Sequence, residues 1–268
     1  MSTTEQLLQL AAHQVRAGEV DDETYWHSVT ALHGRPEQTV FDQCASWCVH
    51  SDPALRGLGA DVLGQLGHQQ DPRPFRAASL PLLLQLLSDP DQGVVADAVI
   101  ALGHLGADDV VDRVAALAGS PDQQVRWSVA WALCLVQSEV AVDAVLRLSR
   151  DEDPEVRDWA TFGLGSQIDM DTPVIRQALL ARVQDSDDNT RAEALSGLVQ
   201  RRDARVLAPL RKALESDVVG RLEVEAARDA GSRQLVTALE ALREWWDVDS
   251  ELLESAIDRC AKDLGWSA

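Results

Sequence analysis

The sequence predicts an all-α superhelical solenoid of about six helix-turn-helix repeats with helical caps. Three observations predict it. Six segments align on one pattern, at steps of 39, 31, 31, 34 and 30 residues. Each carries small residues at helical spacing, and the first five add a leucine. Each array segment after the first follows another helical stretch and a short link rich in Ser, Asp and Pro.

In chain order, residues 1–50 form an N-terminal cap. Helices are expected over 4–17, 21–33 and 36–50, with Pro36 near the start of the third. The array spans 51–230. Its aligned segments are 51–63, 90–102, 122–133, 153–164, 187–198 and 217–228. They are anchored on Arg56, Val95, Arg126, Arg157, Arg191 and Arg221. The partner helices read as 75–87, 108–118, 139–149, 173–183 and 204–214. Residues 231–268 close the array as a C-terminal cap, with helices over 232–246 and 249–263. The links are short and regular, so one continuous solenoid is expected.

The aligned pattern has a packing reason. Three positions past the anchor stand Gly59, Ala98, Val129, Ala160, Ala194 and Val224. Six past it stand Val62, Ala101, Ala132, Gly163, Gly197 and Ala227. Seven past it stand Leu63, Leu102, Leu133, Leu164, Leu198 and finally Arg228. These offsets share one helix face. Small residues admit a neighbouring helix, and leucine fills what remains. A mid-helix glycine costs about 1 kcal/mol against alanine, so Gly163 and Gly197 point to close packing. The aspartates of the links suit helix N-caps, where each side chain satisfies free N–H groups for about 1 kcal/mol.

The pattern D-x-D-P-x-V-R-x-x-A-x-x-x-L, in units of 30–39 residues over about 51–228, resembles HEAT repeats. It is most similar to the short bacterial subtype named after phycobilisome lyases. The resemblance implies a right-handed superhelix. It also implies that Arg126, Arg157 and Arg191 brace the array by reaching an aspartate in a neighbouring link. Val95 interrupts that ladder.

Composition narrows the function. The 268 residues carry 24 Lys+Arg against 44 Asp+Glu, a net charge of −20. Such a chain repels phosphate backbones and anionic membranes, which argues against nucleic acid or a lipid surface as partner. No apolar stretch approaches the roughly 18 residues of a spanning helix, and no export signal is evident at the start. Four sparse cysteines, at 44, 48, 134 and 260, fit reduced packing residues in a cytoplasmic protein.

Catalytic constellations are not found. There is no glycine-rich phosphate loop and no G-x-S-x-G elbow. No His is followed by Glu, whereas the deoxyhypusine hydroxylases, which this fold resembles, use His-Glu pairs for di-iron. The HEAT-like alkylpurine DNA glycosylases need a basic surface, which this charge opposes. His27, His33, Cys44, Cys48 and His50 match no standard zinc spacing. No enzyme activity, metal or cofactor is therefore expected, and His104 reads as an exposed polar contact.

Offsets 1 and 5 point away from the packed face, toward the inner side of the array. They place Trp127, Trp131 and Phe162 there, with Trp159 at their border and Ile100 extending the row. Asp61, Asp97, Asp158, Glu193, Glu223 and Glu225 form an acidic rim. An apolar centre with such a rim suits a basic protein. Trp245 and Trp246 read as cap packing. The expected function is non-enzymatic binding of that partner by a chain that is monomeric when free. Similarity to bacterial immunity proteins carried beside Rhs-type toxins implies a toxin domain as the partner. The lyase-like subtype also leaves open a bilin lyase or chromophore chaperone, and a general scaffold is the third reading.

Overall fold

Aspartate starts the second helix of five repeats. In the computed structural model, which describes residues 2–18, 23–106 and 110–266, Asp52, Asp91, Asp122, Asp153 and Asp187 occupy N-cap positions. Each accepts hydrogen bonds from the first turn it precedes. Three further link aspartates, Asp89, Asp151 and Asp185, accept from the amides of Asp91, Asp153 and Asp187. The aspartate excess thus builds the turns between helices.

The described residues hold sixteen α-helices and no strand. The chain divides into two compact units, 1–136 and 137–268. The first contains α1 (Thr4–Ala17), α2 (Glu23–His33), α3 (Gln38–Trp47), α4 (Pro53–Gln65), α5 (Arg76–Leu86), α6 (Gln92–Leu105), α7 (Val111–Ala115) and α8 (Gln123–Leu133). Helices α4, α6 and α8 pack in series, with α3 against α4 and α5 against α6. The predicted starts of helices 21–33 and 108–118 lie outside the described residues. The second unit contains α9 (Glu139–Leu148), α10 (Pro154–Phe162), α11 (Pro173–Arg182), α12 (Asp188–Gln200), α13 (Leu207–Leu214), α14 (Arg221–Ala230), α15 (Val236–Leu242) and α16 (Ser250–Lys262). There α10, α12, α14 and α16 pack in series.

The small and leucine positions form the core as their spacing predicts. Ala98, Val129, Ala160, Ala194 and Val224 are buried, and so are Leu63, Leu102, Leu133, Leu164 and Leu198. The close packing expected at Gly197 is present: a Cβ there would lie 2.5 Å from the Gly165 Cα. After Phe162 the helix widens into a π-turn over Gly163–Gln167, which changes the register by which the next residues face α12.

The anchor arginines share one geometry. The Nη1 atoms of Arg56, Arg126, Arg157 and Arg191 donate to the carbonyls six and five residues back, closing each link onto its helix. Arg56 and Arg157 also reach forward. Arg56 grips Asp89 with two bonds of 2.6 and 2.7 Å. Arg157 grips Asp185 at 3.0 and 2.8 Å. The brace expected of Arg157 is present, and Arg56 adds one that the resemblance did not assign. Arg191 is a correction: its side-chain partner is Asp188, on its own helix.

The first unit has an insertion after α4, which accounts for its longer 39-residue step. Arg73 ties this segment down, donating to the carbonyls of Gly64 at 2.6 Å and His104 at 2.8 Å. Phe75 stacks on Phe41 with ring centroids 4.9 Å apart.

Candidate functional site

The flanking helices α1 and α2 create a groove beside α4 and α6. A buried network holds them together: Gln14 donates to Thr24 at 2.8 Å, and Ser28 donates to Gln14 at 3.1 Å. Arg16 pairs with Asp52 at 3.1 Å, fixing the end of α1 to the start of α4. The groove between them has a volume of about 510 Å³. Its lining includes Tyr25, Trp26, Gly57, Leu58, Asp61, Asp91, Val94 and Asp97. Among the described lining residues none is Lys, Arg or His.

Two carboxylates sit at its floor. The Tyr25 hydroxyl donates to Oδ2 of Asp61 at 2.8 Å. Burial pushes the Asp61 carboxyl up, against the stabilising effect of that hydroxyl. Burial also raises Asp97, and the neighbouring charges of Asp61 and Asp91 add to it. Gly57 makes the approach possible, because a Cβ there would collide with the Asp97 carboxylate. Trp26 packs edge-on against Tyr25, centroids 5.2 Å apart, yet leaves 49 % of its surface open.

Asp61 and Asp97, both predicted as rim residues, therefore meet in one depression, and both are half-buried. Ile100 is half-buried further along α6. The four predicted ridge rings do not stand free; all are half-buried. In the first unit Trp131 lies over Gly103, where a Cβ would fall 2.7 Å from its Cζ3. Its ring meets His104 edge-on at 4.8 Å. Trp127 lies one turn before it on α8. In the second unit Trp159 and Phe162 pack edge-on at 5.8 Å. Beside them the Asp158 Oδ1 is buried without a hydrogen bond, and burial lifts that carboxyl to about 6. Glu193 accepts from the Ser166 hydroxyl at 3.2 Å, and burial raises its pKa as well.

Glu223 is a correction. It is 8 % exposed, not on a rim. Its carboxylate folds back over Gly220 at the start of α14, where a Cβ would lie 2.8 Å from Oε2. Of the terminal tryptophans, Trp246 is buried and donates to the Val219 carbonyl at 2.8 Å, whereas Trp245 is exposed. Tyr25 and Trp26 were missed because they lie outside the repeat alignment. The signal available was the adjacent Tyr-Trp pair, which includes the sole tyrosine of the chain.

All four cysteines are buried and free. Among the described residues, no group of three or more His, Cys, Asp or Glu could hold a metal ion. No described helix is long and apolar enough to cross a membrane.

Stacked helix pairs with capped links define a helical-repeat protein. The HEAT repeats profile matches residues 80–165 and again 144–228, more than half of the chain, so the chain belongs to the HEAT-repeat family and its fold is an α-solenoid. Protein YibA of Escherichia coli K12 is 29 % identical over 240 residues, covering 87 % of this chain and 84 % of YibA. The O157:H7 protein gives the same values. The X-ray structure of E. coli YibA matches the fold with a TM-score of 0.76 at 24 % identity, over 98 % of each chain.

Proposed function

We propose that this chain is a non-enzymatic binding protein whose acidic surfaces hold a basic protein, and that it serves as an immunity protein neutralising a bacterial toxin. The observation that carries the reading is the groove of the first unit: carboxylates and an open indole, without a cation among its described lining residues. A buried carboxylate lacking a counter-charge is costly. A cationic guest would relieve that cost on arrival. The net charge of −20 would also speed the encounter and make it salt-sensitive. Trp127 and Trp131 of the first unit, and Trp159 and Phe162 of the second, offer half-buried aromatic contacts of the kind that anchor interfaces.

Affinity capture from the native host, followed by reconstitution with the purified captured protein, tests this. The expected result is a stoichiometric complex with one strongly basic protein, whose toxicity in a growth assay is abolished by co-expression of this chain. Recovery of only neutral or acidic partners, or of no stoichiometric complex, contradicts it.

A further inference from the structure

The groove beside α2, α4 and α6 has the chemistry of a socket for one side chain. Its walls are apolar, formed in part by Leu58 and Val94, and the Trp26 ring stands open at its edge. Its floor holds Asp61 and Asp97. The two carboxylates differ in what they already bind. One oxygen of Asp61 is occupied by the Tyr25 hydroxyl. No described residue donates to the carboxylate of Asp97.

Ligand classes can be separated by these features. An anion is excluded by like charge. A bare divalent ion wants several oxygens at once, and the described residues assemble no such set. A planar organic cation satisfies both parts of the groove. A guanidinium can donate two parallel bonds to a carboxylate while its face lies on an aromatic ring. An ammonium, as a compact and strongly hydrated point charge, uses the ring and the fork less well. The volume of about 510 Å³ leaves room for the flanking backbone of a peptide.

We propose that this groove takes an arginine side chain of the partner protein, with Asp97 as the pairing carboxylate, Asp61 held by Tyr25 as the supporting charge, and Trp26 as the stacking face. The proposal rests on the reading that the partner is a basic protein.

The test uses the full chain and a blocked Gly-Arg-Gly tripeptide, followed by nuclear magnetic resonance of the Trp26 indole N–H, which Trp26→Phe identifies. The expected result is a saturable shift with the arginine peptide. Its lysine counterpart should bind about five-fold more weakly, and its citrulline counterpart should leave the resonance in place. Asp97→Asn, which removes charge without adding bulk, should weaken arginine-peptide binding about ten-fold or more. Equal binding of citrulline and arginine peptides, no change in Asp97→Asn, or no shift at millimolar peptide overturns the proposal. The peptide titration reads the groove alone, so failure of partner capture leaves its outcome intact. Equal capture of a basic partner by wild type and Asp97→Asn rejects the socket and leaves the basic-partner reading standing.

Discussion

The hydroxyl of Tyr25, on α2, donates to Oδ2 of Asp61, on α4, at 2.8 Å. This bond joins the flanking helices to the first repeat and orients one of the two carboxylates at the groove floor. Burial also holds the Tyr25 hydroxyl protonated far above the ordinary tyrosine range, and the Asp61 charge adds to that effect. Tyr25→Phe leaves a buried carboxylate oxygen without its donor. The expected loss is about 1–2 kcal/mol at neutral pH, read from denaturant midpoints with an unchanged m-value.

Asp97→Asn should act in the opposite direction. Its carboxyl is raised by burial and by Asp61 and Asp91. Between the unfolded carboxyl pKa and the higher folded one, the folded state binds more protons. Wild-type stability therefore falls as pH rises through that window. The asparagine variant escapes this loss, so it should be more stable than wild type by ~1–2 kcal/mol at pH 8. The gain should vanish at pH 4. Thermal scans at both pH values check this.

His33 supplies an acid-side effect. Burial lowers its pKa to about 4, although its Nε2 lies 3.0 Å from the Asp61 carbonyl. The facing groups His68, His104 and Arg73 all oppose a further positive charge. An unfolded histidine titrates near 6.5, so the unfolded state binds more protons between about 6.5 and 4. Stability should fall as pH drops through that interval. His33→Gln should flatten the slope there, as measured by midpoint against pH.

The repeat alignment shows how far sequence reasoning reached. The small and leucine offsets were legible because close helix crossing tolerates few side chains, and those positions are buried in both units. The link aspartates were legible because N-capping is a local demand. The groove was not. Tyr25 and Trp26 belong to α2, outside the repeats, so periodicity assigned them no position. Asp61 and Asp97 were identifiable as acidic rim positions, but their burial depends on α1 and α2 lying beside α4. Glu223 misled because its spacing matched the rim while its carboxylate turned back onto Gly220.

Arg56 and Arg157, which reach forward, should matter more than Arg191, which pairs on its own helix. Arg56 and Asp89 leave only 12 % and 5 % of their side chains exposed, and Arg157 and Asp185 show the same values. Removing Arg56 strands the largely buried carboxylate of Asp89, whereas Asp185 keeps Arg182 at 3.0 Å when Arg157 is removed. Arg56→Ala should cost about 2–3 kcal/mol and Arg157→Ala about 2 kcal/mol. Arg191→Ala loses its two carbonyl contacts and a more exposed ion pair, and should cost about 1 kcal/mol. Urea unfolding of the three variants checks the ranking.

The most direct test of the central claim is the dissociation constant of the captured basic protein for wild type and for the double variant Trp26→Ala, Asp97→Asn, each at low and at moderate salt. An acidic groove that seats a cation predicts wild-type binding that weakens markedly with salt. It also predicts a loss of about a hundred-fold in the double variant. Equal affinity of the two proteins, or wild-type binding indifferent to salt, would contradict it.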